Sequence, residues 1–146
     1  MLKVGTSRID ITPPIGIPHA NWGSSVHQVA EGIDMNMYCY IMYLESKDSK
    51  TKVAILDFDL CIIDDDIDSM VRDAVISSLD IPRENIRVST SHTHAGPPYG
   101  RDDSTGGGWI TEGVELINPY YDSYPEKISN GVSEAVTYCS RLQYLL

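Results

Sequence analysis

The stretch from Lys52 to Thr90 restricts the fold more than any other part of this chain. Lys52 to Leu60 reads as a strand, and Val53-Ala54-Ile55-Leu56 at its centre is nearly continuous apolar sequence, as expected of a strand buried on both faces. Asp64, Asp65 and Asp66 follow, an N-cap and first-turn acids suited to the positive end of a helix dipole. Ile67, Met70, Val71, Ala74, Val75 and Leu79 fall at i, i+3, i+4, i+7, i+8 and i+12, one apolar stripe at helical period. Ile81-Pro82-Arg83-Glu84-Asn85 ends that helix, and Ile86 to Thr90 is a second short strand. Strand, helix, strand makes a βαβ unit with parallel strands and a right-handed crossover.

In front of this unit, Lys3 to Ile11 and Met35 to Leu44 read as strands. The polar turn Ser46-Lys47-Asp48-Ser49-Lys50 joins the second of them to Lys52–Leu60 as an antiparallel hairpin. Between them Thr12-Pro13-Pro14-Ile15-Gly16-Ile17-Pro18 must be extended loop, because proline removes donors and fixes φ. The loop runs on to Gly32, long for a compact domain, and carries His19, Trp22 and His27. Gly100 to Gly113 is a polar, glycine-rich segment, either a flap over a site or a plain connector. A last helix starts near Pro125, with Ile128, Val132, Ala135, Val136 and Cys139 as its stripe. Gly131 within it weakens the helix by about 1 kcal/mol relative to alanine. The expected class is α/β: a mixed sheet with an N-terminal antiparallel hairpin and a βαβ unit, helices packed on the sheet. Residues 1–146 suit one domain. The apolar, uncapped tail Leu142-Gln143-Tyr144-Leu145-Leu146 reads as part of a larger, incomplete domain.

Composition removes several function classes. A net charge of −10 repels phosphate backbones and anionic membrane surfaces, so nucleic acid is not an expected partner. No run of about 18 apolar residues is present to span a bilayer. The N-terminus lacks a basic head followed by an apolar stretch, so the expected location is cytoplasmic. Cys39, Cys61 and Cys139 are odd in number and widely spaced, and read as buried free thiols rather than ligands or nucleophiles.

Chemistry concentrates at one place. In open α/β sheets, ligands sit at the carboxyl ends of parallel strands. Asp57 and Asp59 stand at that end of the first parallel strand. His92 and His94, half of the four histidines, stand just past the second, before Ala95-Gly96-Pro97-Pro98. Two imidazoles at i, i+2 converge once the backbone turns, and imidazole with carboxylate suits zinc. The same pair can also simply hydrogen-bond within a polar loop. Asp57 and Asp59 interrupt an apolar strand on the face of Val53 and Ile55, and a charge there needs a partner or a function. The acids from Asp64 to Asp73 read as a solvated helix start.

Four stretches, in this order and spacing, resemble the neutral (non-lysosomal) ceramidase family: Val4-Gly5-Thr6-Ser7-Arg8-Ile9-Asp10-Ile11-Thr12-Pro13, Gly32-Ile33, Asp59-Leu60 after an apolar strand, and Thr90-Ser91-His92-Thr93-His94-Ala95-Gly96-Pro97. The helix near Pro125 to Tyr138 fits more loosely. The resemblance implies the N-terminal part of a zinc-dependent catalytic domain that hydrolyses the amide of N-acylsphingosine or another lipid-like amide. It implies His92 as a zinc ligand and His94 as a catalytic group beside the metal and the amide. Asp59, with Asp57 near it, would be a substrate-side or supporting group. The family's second zinc histidine, zinc-binding glutamate and tyrosine, and active-site serine match no position here, so the expectation is a truncated part lacking most catalytic residues. Two other readings stand beside it. Ala54-Ile55-Leu56-Asp57-Phe58-Asp59 resembles the opening of haloacid-dehalogenase-like phosphatases, with Asp57 as nucleophile and Asp59 as acid. A noncatalytic metal- or partner-binding module is the other.

Overall fold

The structure, a computed structural model, describes residues 2–19, 26–48, 50–101 and 111–141. Strands β1 (Leu2–Asp10), β2 (Tyr38–Ser46), β3 (Lys52–Phe58) and β4 (Ile86–Thr90) form one sheet in the order β1-β2-β3-β4. The first three are antiparallel and β4 runs parallel to β3. Helix α1 (Asp65–Ser78) connects β3 to β4; α2 (Ile117–Asp122) and α3 (Tyr124–Arg141) follow. The α/β class, the hairpin and the βαβ unit are as the sequence indicates.

Local chemistry accounts for the element boundaries. The β2–β3 turn closes through Ser46, whose hydroxyl meets Asp48 Oδ1 at 2.6 Å and whose amide meets the Thr51 carbonyl at 2.9 Å. Asp64 caps α1 by accepting the Ile67 amide at 2.9 Å, and Asp65, Asp66 and Asp68 fill its first turn. The buried stripe of α1 is Ile67, Val71, Ala74 and Val75. All three cysteines are free and buried. Burial pushes the Cys39 thiol well up, and the charges of Asp57 and Asp59 add to this.

One expectation fails. In β3 only Ala54, Leu56 and Phe58 are fully buried; Val53 and Ile55 are half-buried and Asp57 is exposed. The helices cover one face of the sheet. The opposite face carries Tyr40 and Met42, which are exposed. An apolar run of four residues does not separate a two-sided strand from a strand whose second face is only shielded by its neighbours.

Gly131 also reads differently in three dimensions. A Cβ there would sit 2.6 Å from Ile9 Cγ2 and 2.7 Å from Ile41 Cδ1, while the Ser7 hydroxyl donates to the Gly131 carbonyl at 2.6 Å. The helix rests on the sheet at its glycine, and Gly5 on β1 is approached as closely by the Ala135 carbonyl and Cys139. The glycine is a contact surface, not only a helix defect.

Helix α2 was not apparent in the sequence, and it brings three tyrosines together. The Tyr120 hydroxyl donates to the Ile11 carbonyl at 2.7 Å, and Tyr124 donates to Tyr120 at 2.7 Å. Tyr121 donates to the Pro98 carbonyl. The rings pack edge to face at centroid separations of 4.9–5.3 Å. The cluster pins both the loop after β1 and the loop after β4. The glycine-rich segment lies mostly in residues 102–110, outside those described, as do Trp22 and the tail from Leu142.

Replacing Gly131 by alanine is expected to destabilise the protein. The helix-propensity gain of about 1 kcal/mol is outweighed by an overpacking cost of about 1–3 kcal/mol, and urea melts should show a lower midpoint. A second expectation concerns pH. Burial raises the phenols of Tyr120, Tyr121 and Tyr124. Above their unfolded pKa of about 10 the unfolded chain binds fewer protons than the folded one. Their contribution is therefore full below about pH 10 and falls as pH rises, by up to about 1.4 kcal/mol per pH unit for each group. Cys39 starts the same decline near pH 8.5. Urea midpoints measured from pH 7 upward check this; a flat profile through pH 11 would contradict it.

Candidate metal centre

The parallel pair β3–β4 ends in register, with Phe58 opposite Thr90. The chain leaves both strands side by side. Ser91 donates its amide to the Phe58 carbonyl at 2.9 Å, and the Leu60 amide turns back on the same oxygen at 2.8 Å. Cys61, three residues past β3, thereby meets His92 and His94, two and four residues past β4. Its carbonyl is held by Thr90 Oγ1 at 3.0 Å and by His92 Nδ1 at 3.0 Å.

His92 reaches that position at φ +60°, the left-handed region, which histidine tolerates better than bulky or branched residues do. The loop after it is tied down twice: Tyr121 holds the Pro98 carbonyl, and the Asp64 amide donates to the Tyr99 carbonyl at 3.1 Å. Gly100 passes against the Asp64 carboxylate where a Cβ would collide.

Cys61 Sγ lies 3.8 Å from His92 Nδ1 and 3.7 Å from His94 Nε2. The two imidazoles stand edge to face, 5.0 Å apart at 87°. One donor atom from each of the three residues lies within 4.8 Å of the others. His92 Nδ1 has both the Cys61 sulfur and the Cys61 carbonyl within range. The carbonyl at 3.0 Å is the better acceptor, so Nδ1 is assigned the proton and Nε2 the free lone pair. Cys61 is 2% exposed, His94 is half-buried and His92 is open to solvent. Burial raises the Tyr99 phenol, and its hydrogen bond with the Cys61 side chain adds to the rise.

The donor chemistry fits zinc. Two imidazoles and a thiol are among its preferred ligands, and three protein donors with a solvent-facing side match a site that keeps one position open. Neither Asp57 nor Asp59 belongs to this group. Asp59 is engaged with the start of β2: its carboxylate accepts the Tyr38 amide at 2.9 Å, and its own amide donates to the Tyr38 carbonyl at 2.9 Å. Asp57 accepts the Ser89 hydroxyl at 3.0 Å. The two acids open onto different cavities. Asp59 lines a cleft of about 480 Å³ with Ile17, Ile33, Met37, Thr93 and Gly96. Asp57 lines a depression of about 630 Å³ with Arg8, Tyr40 and Met42. His19 lines the cleft, and His27 pairs with Glu31 at 3.3 Å on the surface; neither joins the donor group.

Sequence reasoning missed Cys61. Counting outward from two parallel strand ends in register would have found it.

Solved structures that share this fold include two ceramidases. Neutral ceramidase from Pseudomonas aeruginosa aligns with a TM-score of 0.72 at 19% identity, covering 94% of this chain and 22% of that chain. A ceramidase complexed with C2 aligns with a TM-score of 0.74 at 17% identity, covering 94% of this chain and 21% of that one. No family model and no curated protein matches the sequence. This chain spans about a fifth of the length of the ceramidase chains it matches, and its mixed four-stranded sheet with helices on one face has the fold of that part of a neutral ceramidase.

Proposed function

We propose that this chain is the histidine-bearing part of a ceramidase-like, metal-dependent amide hydrolase. The observation that carries the reading is the convergence of His92 and His94 at the ends of β3 and β4, in a fold similar to that of neutral ceramidase. His92 binds the metal through Nε2, oriented by the bond from its Nδ1 to the Cys61 carbonyl. When bound, a divalent ion, zinc by donor type, would supply Lewis acidity toward an amide carbonyl and would lower the pKa of a water. His94 stands beside it and positions the amide.

The substrate is a lipid-like amide. The cleft next to the histidine loop is mostly apolar, with Ile17, Ile33, Met35 and Met37 on its walls and Thr93, Ala95 and Gly96 along the histidine side. It has room for an acyl chain, and the exposed Ile33 and Met35 extend the apolar surface at its mouth. Asp59 orders one wall through its two bonds to Tyr38. Among the described residues no helix is long and apolar enough to cross a membrane. Three free, buried thiols support a reducing compartment such as the cytoplasm.

The alternatives differ in what they hydrolyse. Any release of fatty acid from short-chain N-acylsphingosine by the chain is expected to require zinc. His92→Ala and chelation should each reduce turnover by about 100-fold or more. Turnover indifferent to both would overturn the reading. Metal binding with no hydrolysis of any N-acyl amide would favour the noncatalytic module. Magnesium-dependent release of phosphate from a phosphomonoester, lost in Asp57→Asn, would favour the phosphatase.

A further inference from the structure

We infer that Cys61 supplies the third metal bond, so that Cys61, His92 and His94 hold a thiophilic divalent ion with donors from this chain alone. The inference rests on the reading above for the location of the site. It changes the donor set: a thiolate enters, and His94 becomes a ligand rather than only a neighbour of the substrate.

Distances carry the first part of the argument. In a tetrahedral zinc site with Zn–S near 2.3 Å and Zn–N near 2.0 Å, sulfur and nitrogen are separated by about 3.5 Å. Cys61 Sγ is already 3.7 Å from His94 Nε2 and 3.9 Å from its Nδ1. Closing on an ion needs movements of a few tenths of an ångström on that side. On the other side the near nitrogen of His92 is Nδ1, 3.8 Å from the sulfur, and the ring must turn to bring Nε2 to the same point.

Orientation carries the second part. A metal-bound histidine characteristically gives its other ring N–H to a carbonyl or carboxylate. Here His92 Nδ1 gives it to the Cys61 carbonyl at 3.0 Å. One residue thus offers a sulfur to the ion and aligns a second ligand. Thr90 Oγ1 holds the same carbonyl at 3.0 Å, which fixes Cys61 from the strand end. The left-handed backbone at His92, φ +60°, aims its ring back over Cys61 instead of letting the chain run on.

Ion preference follows from the donor types. The group contains no Asp or Glu, and hard ions such as magnesium and calcium require oxygen. Thiolate with two imidazoles suits zinc and copper, and cobalt can stand in for zinc as a spectroscopic reporter of such a set. Cys61 is buried, His94 half-buried and His92 open to solvent, so the fourth position would open on the His92 side toward solvent and a substrate. Binding displaces the thiol proton to solvent, one per ion, with no change of oxidation state.

Cobalt titration of the reduced full chain tests this without any activity. One equivalent of Co²⁺ is expected to give visible bands of tetrahedral intensity and a near-ultraviolet thiolate-to-cobalt charge-transfer band, both bleached by one equivalent of Zn²⁺ but not by Mg²⁺. Cys61→Ser should remove the charge-transfer band and Cys139→Ala should keep it. His92→Ala and His94→Ala should each weaken Co²⁺ binding at least about tenfold. Because the wild-type spectrum already reports the thiolate, the test survives a variant that fails to fold. Cobalt bound to wild type without that band, and lost in His92→Ala, overturns the inference while leaving the amidase reading in place. Folded wild type that binds neither ion also overturns it, and the amidase reading is then judged by hydrolysis alone.

Discussion

The pairing of β4 alongside β3 is the constraint on which everything else in this molecule rests. Phe58 opposite Thr90, with Ser91 bonded to the Phe58 carbonyl, brings two chain segments out of the sheet at the same height. A parallel pair needs a crossover, and α1 supplies it. Because both exits lie at the carboxyl ends, residues 31 and 33 positions apart (Cys61 with His92 and His94) become neighbours. A slip of two residues in that register would leave the sheet's core alternation intact and separate the donors. The site depends on register more narrowly than the fold does.

The parts of the fold that were legible in the sequence are those set by local chemistry. Asp64 followed by acids and a long apolar stripe specifies α1 because cap, dipole and periodicity agree. The β2–β3 turn is readable because the Ser46 and Asp48 side chains accept the Thr51 and Lys50 amides there. The parts that were not legible depend on what packs where. Val53 and Ile55 are apolar enough for a core, yet only the Ala54, Leu56 and Phe58 side of β3 faces helices. Gly131 scores as a helix weakener by propensity, whereas its missing Cβ is what lets α3 approach Ile9 and Ile41. Helix α2 has six residues and no repeating stripe, so nothing in the sequence marks Tyr120 and Tyr121 as anchors for two loops.

The candidate site divides in the same way. His92 and His94 were visible because two imidazoles at i, i+2 before Gly-Pro-Pro are unusual in a chain with four histidines. Cys61 was invisible because a single cysteine beside an apolar strand most often packs as a small hydrophobe. Only the paired strand ends give it neighbours. Asp57 and Asp59 were visible for a sound reason, since charges in an apolar strand need partners. Their partners turn out to be local: Ser89 for one and the Tyr38 amide for the other. A carboxylate that ties down β2 satisfies the physical demand as well as a ligand would.

The histidine loop also separates two environments. Its side chains alternate as they leave β4: His92 and His94 turn to Cys61, while Thr93 and Ala95 line the apolar cleft with Asp59. One short segment is therefore the wall between the Cys61–His92–His94 group and the apolar cleft. Under the proposed function, a substrate with a long apolar tail and a polar amide would bridge that wall, tail on the cleft side and carbonyl at its rim. The rigidity needed for such a bridge comes from behind, where Tyr121 on the Pro98 carbonyl and Asp64 on the Tyr99 carbonyl hold the loop against α1 and α2. The i, i+2 spacing of the histidines thus sets two things at once: which side chains turn toward Cys61, and which face of the same loop lines the apolar cleft.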